Sequence, residues 1–189
     1  MLNNRRIALL GVLAAVNSIV RLMGVGIAGM ETAFALIIIS GFVFGASFGA
    51  MLGTISILAS ALISGGVGPW LPFQLLAAAI VGFGAGFIPR RFYLIGMSVY
   101  AVISSYVYGA LMTFWTWPLF TGANTSLSVV ENGSLVENLW RFVQFEFVTG
   151  GLLWDTGRAI TTTTLILLIG KALVTILERA ATRADFAKA

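Results

Sequence analysis

The residues best suited to bind a small molecule lie in one short run, residues 64–74. The run reads Ser-Gly-Gly-Val-Gly-Pro-Trp-Leu-Pro-Phe-Gln and separates two long apolar stretches. A glycine such as Gly68 lets the backbone approach a bound molecule closely, and Pro69 stiffens the turn. Flat apolar faces and an amide follow in Trp70, Phe73 and Gln74. At a membrane surface, a loop with this chemistry is expected to form the lid or the floor of a ligand pocket.

Four ionisable residues stand close to apolar segments, where charge is costly and therefore informative. Asp155 and Arg158 are three residues apart and could pair across one helical turn, while Arg21 and Glu31 bracket the first loop. One interpretation is that these residues form ion pairs that settle helix ends at the interface. The other is that they project into a pocket with Gln74 and orient a polar ligand.

The composition places the chain in a membrane. Of its 189 residues, 59% are hydrophobic and 10% are charged, which is more apolar surface than a water-soluble core of this length can bury. We therefore predict an all-α integral membrane protein with a single membrane domain over residues 1–189. The net charge of +4 is expected to report membrane orientation and not a nucleic-acid partner.

The chain has no cysteine and no histidine, which removes several classes of chemistry. Disulfide scaffolds, thiolate or imidazole metal sites and histidine-based proteolysis are excluded. A phosphate-binding loop of the Gly-rich, Lys-Ser/Thr type is also missing from the sequence, so we expect no ATP hydrolysis by that route. We predict a protein without cofactor, metal or catalytic residues.

Six apolar segments are bounded by charges and turn residues. The predicted spans are residues 7–23, 33–44, 48–63, 72–88, 93–115 and 152–177. Spans two and three are short for a bilayer of roughly 30 Å, so we expect them to tilt or to bend at their glycines. Merging these two spans would give four or five crossings, but the merged segment is too long for one ordinary crossing.

The basic residues indicate the orientation of the six spans. Eight of them fall on the side that carries both termini: Arg5, Arg6, Arg90, Arg91, Lys171, Arg179, Arg183 and Lys188. Only Arg21, Arg141 and Arg158 fall on the other side. The positive-inside rule therefore predicts a multi-pass protein with both termini in the cytoplasm and the glycine-rich turn outside.

The long connection between spans five and six predicts a further element. Residues 121–126 are polar turn material, whereas residues 134–147 place apolar side chains at helical spacing. One shared face is made of Leu135, Leu139, Phe142 and Val143. We expect a short interfacial helix, either covering the extracellular mouth or shielding apolar surface of the bundle.

Small residues recur every three or four positions in three stripes. In the first span they are Ala8, Gly11, Ala15 and Ser18. Such a stripe lets another helix approach closely, which is consistent with packing inside the bundle or with a partner surface. For the second stripe, which is Gly41, Gly45, Gly49 and Gly53, and for Gly82 with Gly86, we favour internal packing.

The chain resembles the substrate-binding S component of an energy-coupling factor (ECF) transporter over residues 6–177. The resemblance depends on the basic N-terminus, the small-residue first span, the glycine-rich second and third spans, and residues 66–74, Gly-Val-Gly-Pro-Trp-Leu-Pro-Phe-Gln. That last motif is similar to one in a subset of S components assigned to cobalamin-type vitamin uptake. The fourth span adds Gly-Phe-Gly-Ala-Gly at residues 82–86.

The resemblance implies a six-helix protein of a prokaryotic cell membrane that captures a vitamin on its extracellular side. It implies three partners, a membrane T component and two cytoplasmic ATPases, and cargo release by toppling in the membrane. The family contacts its T component through an alanine-x-x-x-alanine motif on the first helix. The matching positions here are Gly11 and Ala15 with Ala8 beside them, so glycine replaces one alanine.

A flat heterocycle or a corrin ring could stack on several aromatic side chains: Trp70, Phe73, Tyr106, Tyr108, Trp115 and Trp154. Polar anchors would be Gln74, Asn17, Arg21 and Asp155. The other interpretation is that tryptophans such as Trp115, Trp117 and Trp140 anchor the protein at the membrane interface. Cobalamin or a corrinoid precursor is the expected substrate, with a smaller heterocyclic vitamin precursor or a ligand-free membrane scaffold as alternatives.

Overall fold

The structure is a computed structural model that describes residues 4–23, 30–120 and 125–184. The first predicted loop lies mostly outside these residues, as do the beginning of the predicted polar turn at 121–126 and the basic residue Lys188. The described part of the chain is 84% helical and contains no strand, as the composition predicts.

Seven α-helices and one short 3₁₀ turn follow one another in the described part of the chain. The helices are α1 (Asn4–Met23), α2 (Ala33–Phe44), α3 (Ala46–Ser64), α4 (Leu71–Ala85), α5 (Tyr93–Phe120), α6 (Leu135–Val148) and α7 (Gly151–Arg183), with the 3₁₀ turn at Arg90–Phe92 before α5. Each predicted span coincides with one of these helices, and α6 coincides with the predicted interfacial helix. Ser134 begins α6 as its N-cap, since its hydroxyl accepts a hydrogen bond from the Glu137 backbone N–H.

Among the residues that the structure describes, four helical segments are long and apolar enough to cross a bilayer. They are Asn4–Met23, Ala46–Ser64, Arg90–Leu119 and Gly151–Arg183. The helices α2 and α4 are apolar but shorter than the roughly 20 residues that a perpendicular crossing requires. Several predicted ends were wrong. The helix α4 ends at Ala85, before the predicted end of the fourth span, whereas α5 and α7 continue to Phe120 and Arg183, beyond the predicted ends of the fifth and sixth.

Pairs of side chains fix the directions of the helices. Arg21 at the end of α1 donates to Ser60 near the end of α3, so these two helices run parallel. The helices α5 and α7 run antiparallel, as the Tyr106–Thr156 hydrogen bond and the packing of Leu94 near Gly170 show. We call the end where α1 begins and α7 finishes the terminal end. The opposite end, with the 65–70 turn and α6, is the loop end.

The second helix forms the centre of the bundle. Eleven of its twelve residues are buried, and Phe34, Ile37, Ile38 and Ile39 are completely inaccessible to solvent. This burial explains why α2 is apolar on every side and shows no helical periodicity. Gly45 ends the helix with φ = 94°, a conformation that favours glycine, and the chain turns there into α3.

The glycines of α3 pack directly against α4, which confirms the prediction of internal packing except at Gly45, where a methyl group would meet no atom within 4 Å. A methyl group at Gly49 would overlap the Gly82 carbonyl oxygen, and one at Gly53 would overlap that of Ala78. Gly41 and Gly86 are similarly enclosed. The backbones of neighbouring helices therefore come closer than any side chain would allow.

The small residues of α1 behave differently. Ala8, Gly11 and Ala15 are exposed, and a methyl group at Gly11 would meet no atom within 4 Å. Ser18 does not share this face, contrary to the predicted stripe, because it turns inwards and donates to the Ser56 carbonyl at 3.0 Å. Internal packing therefore explains Ser18, and the other three residues form an open helix face.

Candidate ligand-binding site

The glycine-rich turn between α3 and α4 lies at the loop end of the bundle. Gly65 ends α3 in the left-handed conformation, with φ = 68°, and the Gly66 N–H bonds the Ala61 carbonyl at 2.8 Å. The Leu71 N–H bonds the Gly68 carbonyl at 3.0 Å, which closes the turn before α4 starts. This compact connection holds Pro69 and Trp70 at the surface.

Gly68 makes room for the neighbouring indole. A side chain at residue 68 would overlap the ring of Trp70, so the ring lies directly over the Gly68 backbone. Trp70 remains 41% exposed, and Pro72 occupies the first turn of α4 behind it. The turn therefore presents a flat aromatic face whose position is set by its own backbone.

A second aromatic group extends from α4 to α5. The rings of Phe73 and Trp115 stack with centroids 4.7 Å apart and an angle of 4° between their planes. One face of Phe73 is therefore already covered by Trp115. Phe73 is still 41% exposed, and Gln74 beside it is half-buried in the first turn of α4.

Arg21 and Glu31 form the first of two largely buried ion pairs that the structure describes at the loop end. The Arg21 Nε lies 3.5 Å from Glu31 Oε1, and its Nη1 donates to Ser60 Oγ at 2.9 Å. Both charged side chains are largely buried, with 17% of each exposed. The pair therefore links the end of α1 to the segment before α2 and to α3.

Asp155 and Arg158 form the second pair, one turn apart on α7 as their spacing predicts. Arg158 Nη1 donates to Asp155 Oδ1 at 2.5 Å and to the Ser105 carbonyl at 3.2 Å. Asp155 is 3% exposed and Arg158 is 8% exposed. Such burial is costly for ion pairs that only settle a helix end, and it is typical of functional charges in membrane helices.

Aromatic rings surround the Arg158 guanidinium. Its Cζ lies 4.7 Å from the ring centroid of Tyr108 and 5.7 Å from that of Phe34. These two rings pack edge to face with centroids 4.8 Å apart. The cation is therefore held between a carboxylate and two aromatic faces, where its attraction to the rings contributes beyond simple burial.

Gly109 provides the space for the Asp155 carboxylate. A methyl group at residue 109 would overlap both carboxylate oxygens of Asp155, which pack against the α5 backbone. Gly109 follows Tyr108 directly, so two adjacent residues of α5 hold the two members of the ion pair. A glycine at this position is therefore needed for the geometry of the pair.

The two ion pairs belong to one electrostatic cluster. Burial raises the pKa of the Glu31 carboxyl, while the positive charges of Arg21 and Arg158 both act to lower it. The Thr162 hydroxyl also lies 3.5 Å from the Glu31 carbonyl oxygen, which joins α7 to the segment before α2. Arg158 therefore acts on both acidic partners, Glu31 and Asp155.

Glu146 on the interfacial helix adds a further acid. It is 4% exposed and lies against Gly151 at the start of α7. Burial raises the pKa of the Glu146 carboxyl, and the nearby Asp155 raises it further, whereas Thr113 and Arg158 lower it. The helix α6 thus contributes a buried carboxyl group to the same region of the bundle.

The structure separates the remaining predicted site residues from this cluster. Tyr106 is 37% exposed and bonds Thr156 across the outer surface of α5 and α7, at 2.9 Å. Trp154 is half-exposed on α7. Tyr108, two residues beyond Tyr106, is the tyrosine that faces the interior.

Some members of the cluster could not be recognised in the sequence. Phe34 lies in a uniformly apolar segment, and Ser105 contributes only its backbone carbonyl to Arg158. Gly109 carries no functional group at all. Glu146 could be recognised in the sequence only as an acid within a predicted amphipathic helix. Its burial, which is unusual for a glutamate, is seen in the structure alone.

The arrangement is suited to binding and not to bond-making. The hydroxyls of Ser60, Ser105 and Thr156 each donate to a backbone carbonyl of their own helix, at 2.7 to 2.9 Å. A serine or threonine nucleophile requires an adjacent base, and these hydroxyls are committed to carbonyl groups. Fixed charges and aromatic faces are instead the groups that binding sites use to orient a polar ligand.

The fold and the site thus define a helical membrane protein with a cluster of buried charges and aromatic rings at one end. The family model for the ECF transporter, substrate-specific component, matches residues 5–177. The chain therefore belongs to this family, which confirms the resemblance seen in the sequence. Members of the family are substrate-binding transporter subunits and not enzymes. No curated protein and no solved structure gives a significant match to the chain.

Proposed function

We propose that the chain is the high-affinity substrate-capture subunit of an ECF importer and binds its cargo at the loop end. The observation that carries the proposal is the two buried ion pairs, Arg21 with Glu31 and Asp155 with Arg158, at the same end of the bundle as the exposed aromatic turn at Trp70. Charges buried inside a membrane bundle are costly unless they serve a ligand or a pathway. Here they converge at one end.

The loop end is proposed to face the outside. All six helices α1 to α5 and α7 would cross the membrane, with α2 and α4 shielded by their longer neighbours. Both termini would then lie in the cytoplasm of a prokaryote, since the basic residues concentrate at the terminal end. The interfacial helix α6 would cover the extracellular side of the site together with the 65–70 turn.

The transport motor is proposed to reside in partners. The open face of α1, with Ala8, Gly11 and Ala15, provides a smooth surface on which a helix of the T component could pack closely. Two cytoplasmic ATPases would supply the energy. The acidic residues of the cluster lie at one end of the bundle and not at its middle, which argues against uptake driven by an ion gradient.

Cobalamin or a corrinoid precursor is the first proposed cargo, supported by the resemblance of residues 66–74 and by the flat face of Trp70. A smaller heterocyclic vitamin is the second candidate. It is favoured by the compact cluster around Arg158, where a carboxylate and two rings lie within reach of one another. A small polar heterocycle would match that cluster more closely than a large corrin ring.

The experiment is equilibrium binding of the purified chain to cobalamin, followed by a panel of smaller vitamins. Stoichiometric retention of one vitamin, lost on Asp155→Asn, would establish capture at the cluster. The matched control is Glu131→Gln, which removes a carboxylate from an exposed residue before α6. Retention of a smaller vitamin but not cobalamin would keep the function and change the cargo. A folded chain that retains nothing would support the membrane scaffold instead.

A further inference from the structure

A groove of about 630 Å³ runs between α1 and α7 at the terminal end, far from the proposed cargo site. Its floor is apolar, with Leu9 and Val12 from α1 and Ile176 and Ala180 from α7. Its mouth carries Arg179 and Arg183. The groove is therefore amphipathic along its length, apolar towards the membrane interior and basic towards the end of the bundle.

The groove exists because α1 and α7 pack on α2 and not on one another. In the described residues, no Cα atom of α1 lies within 8 Å of a Cα atom of α7. The two helices are joined at the terminal end, where Arg5 Nη1 donates to the Arg183 carbonyl at 3.3 Å. From Arg5 to Val12 the groove follows α1 for about 10 Å, at 1.5 Å per residue.

Within the described residues, Arg179 and Arg183 form no ion pair with an acid. Glu178, the neighbour of Arg179 in sequence, bonds Arg90 at 3.0 Å on a different face of α7. Among the described residues that line the groove, none is acidic. Arg179 and Arg183 are both exposed, so their guanidinium groups are accessible from the groove mouth.

We propose that this groove binds an anionic phospholipid. The headgroup phosphate is held by Arg179 and Arg183, which offer planar, bidentate hydrogen bonding to phosphate oxygens. One acyl chain lies along the apolar floor between Val12 and Ile176. A lipid fits both halves of the groove at once, because basic pockets between membrane helices recognise anionic headgroups while their walls face acyl chains.

The test is native mass spectrometry of the detergent-purified full chain after addition of phosphatidylglycerol or phosphatidylcholine. We expect at least fivefold greater retention of phosphatidylglycerol. Replacing both arginines (R179A/R183A) is expected to reduce that retention by roughly tenfold. The conservative variant R179K/R183K keeps the charge and is expected to restore most of the preference.

The control variant is R91A/K171A, which removes the same charge from exposed residues outside the groove. It is expected to retain phosphatidylglycerol as the wild type does. Equal loss in both variants would contradict the proposal, since net charge alone would then explain binding.

Two further outcomes would also overturn the proposal. Complete displacement of phosphatidylglycerol by inorganic phosphate at equal concentration would identify the groove as a free-phosphate site without a role for the acyl chain. Alternatively, the two lipids could be retained equally while R179A/R183A prevents co-purification of the T component. The groove would then be a protein-docking surface.

Discussion

Replacing Gly109 by alanine should disrupt the site without removing any functional group. The added methyl group would overlap both carboxylate oxygens of Asp155, which is 3% exposed and bonded to Arg158. Asp155 would have to move, and Arg158 would lose its partner or follow it. We therefore expect the substitution on α5 to lower stability and to weaken cargo binding, although Asp155 and Arg158 both lie on α7.

The magnitude follows from three terms. Overpacking a tight contact costs about 1–3 kcal/mol, and separating a buried ion pair costs about 3–5 kcal/mol when it is complete. Alanine is also more favourable than glycine within a helix, by about 0.5–1 kcal/mol, which offsets part of the loss. With partial relaxation of Asp155 we expect a net loss of about 2 kcal/mol, which corresponds to a fall in Tm of roughly 4–8 °C.

Gly11→Ala is the matched control, since it is also a glycine-to-alanine change in a membrane helix. A methyl group at Gly11 meets no atom within 4 Å, so the Tm should stay constant or rise by up to about 3 °C. Both variants can be followed by tryptophan fluorescence during heating in detergent, and by vitamin binding. A Gly109→Ala chain with wild-type Tm and wild-type affinity would refute the assignment of Asp155 and Arg158 to the site.

Four further changes test other parts of the account. Trp70→Ala should weaken vitamin binding about tenfold in equilibrium dialysis with an unchanged Tm, because the indole is exposed on its turn; unchanged affinity would remove Trp70 from the site. Ala15→Leu should block uptake in cells but not vitamin binding, since this face of α1 is open; loss of both would argue against a partner surface. Gly82→Ala should lower the Tm by several degrees, because it separates α3 from α4; a wild-type Tm would contradict the close packing. Because the pKa of Glu146 is raised, the folded state holds its proton more tightly than the unfolded state, so stability should fall as pH rises from about 4.5 through the raised pKa. Glu146→Gln should flatten that dependence in pH-scanned unfolding, and an equally steep curve would show that another group is responsible.

The helices could be predicted from sequence because charges and turn residues bound each apolar segment. The interfacial helix was also predictable, since its apolar residues recur at helical spacing and Ser134 caps it. The central position of α2 was not predictable. A helix that is apolar on every side has the same sequence pattern whether it faces lipid or protein.

The site was predictable where its contacts are local. Asp155 and Arg158 are one turn apart, so their pairing could be inferred from spacing. The choice between Tyr106 and Tyr108 could not be made, because α5 is apolar around its whole circumference and its rotation depends on packing with α2 and α7. Phe34 reaches Arg158 from a distant part of the chain, and nothing in its own segment indicates that contact.

The open face of α1 shows the same limit. The spacing of Ala8, Gly11 and Ala15 predicted a close helix approach but could not distinguish an internal neighbour from an external one. All three residues are exposed in the structure, so no helix of the described chain packs on them. Ser18, three residues further along, faces α3, where its hydroxyl donates to the Ser56 carbonyl. Its spacing could not show this, because residues three apart share a helix face.

The central claim is that this chain captures cargo but does not transport it alone. The most direct measurement is uptake of the labelled vitamin retained in the binding panel by liposomes that contain the chain alone or with its T component and both ATPases. We predict binding by the chain alone, and accumulation inside the liposomes only with all partners and ATP. Accumulation by the chain alone without ATP would contradict the account.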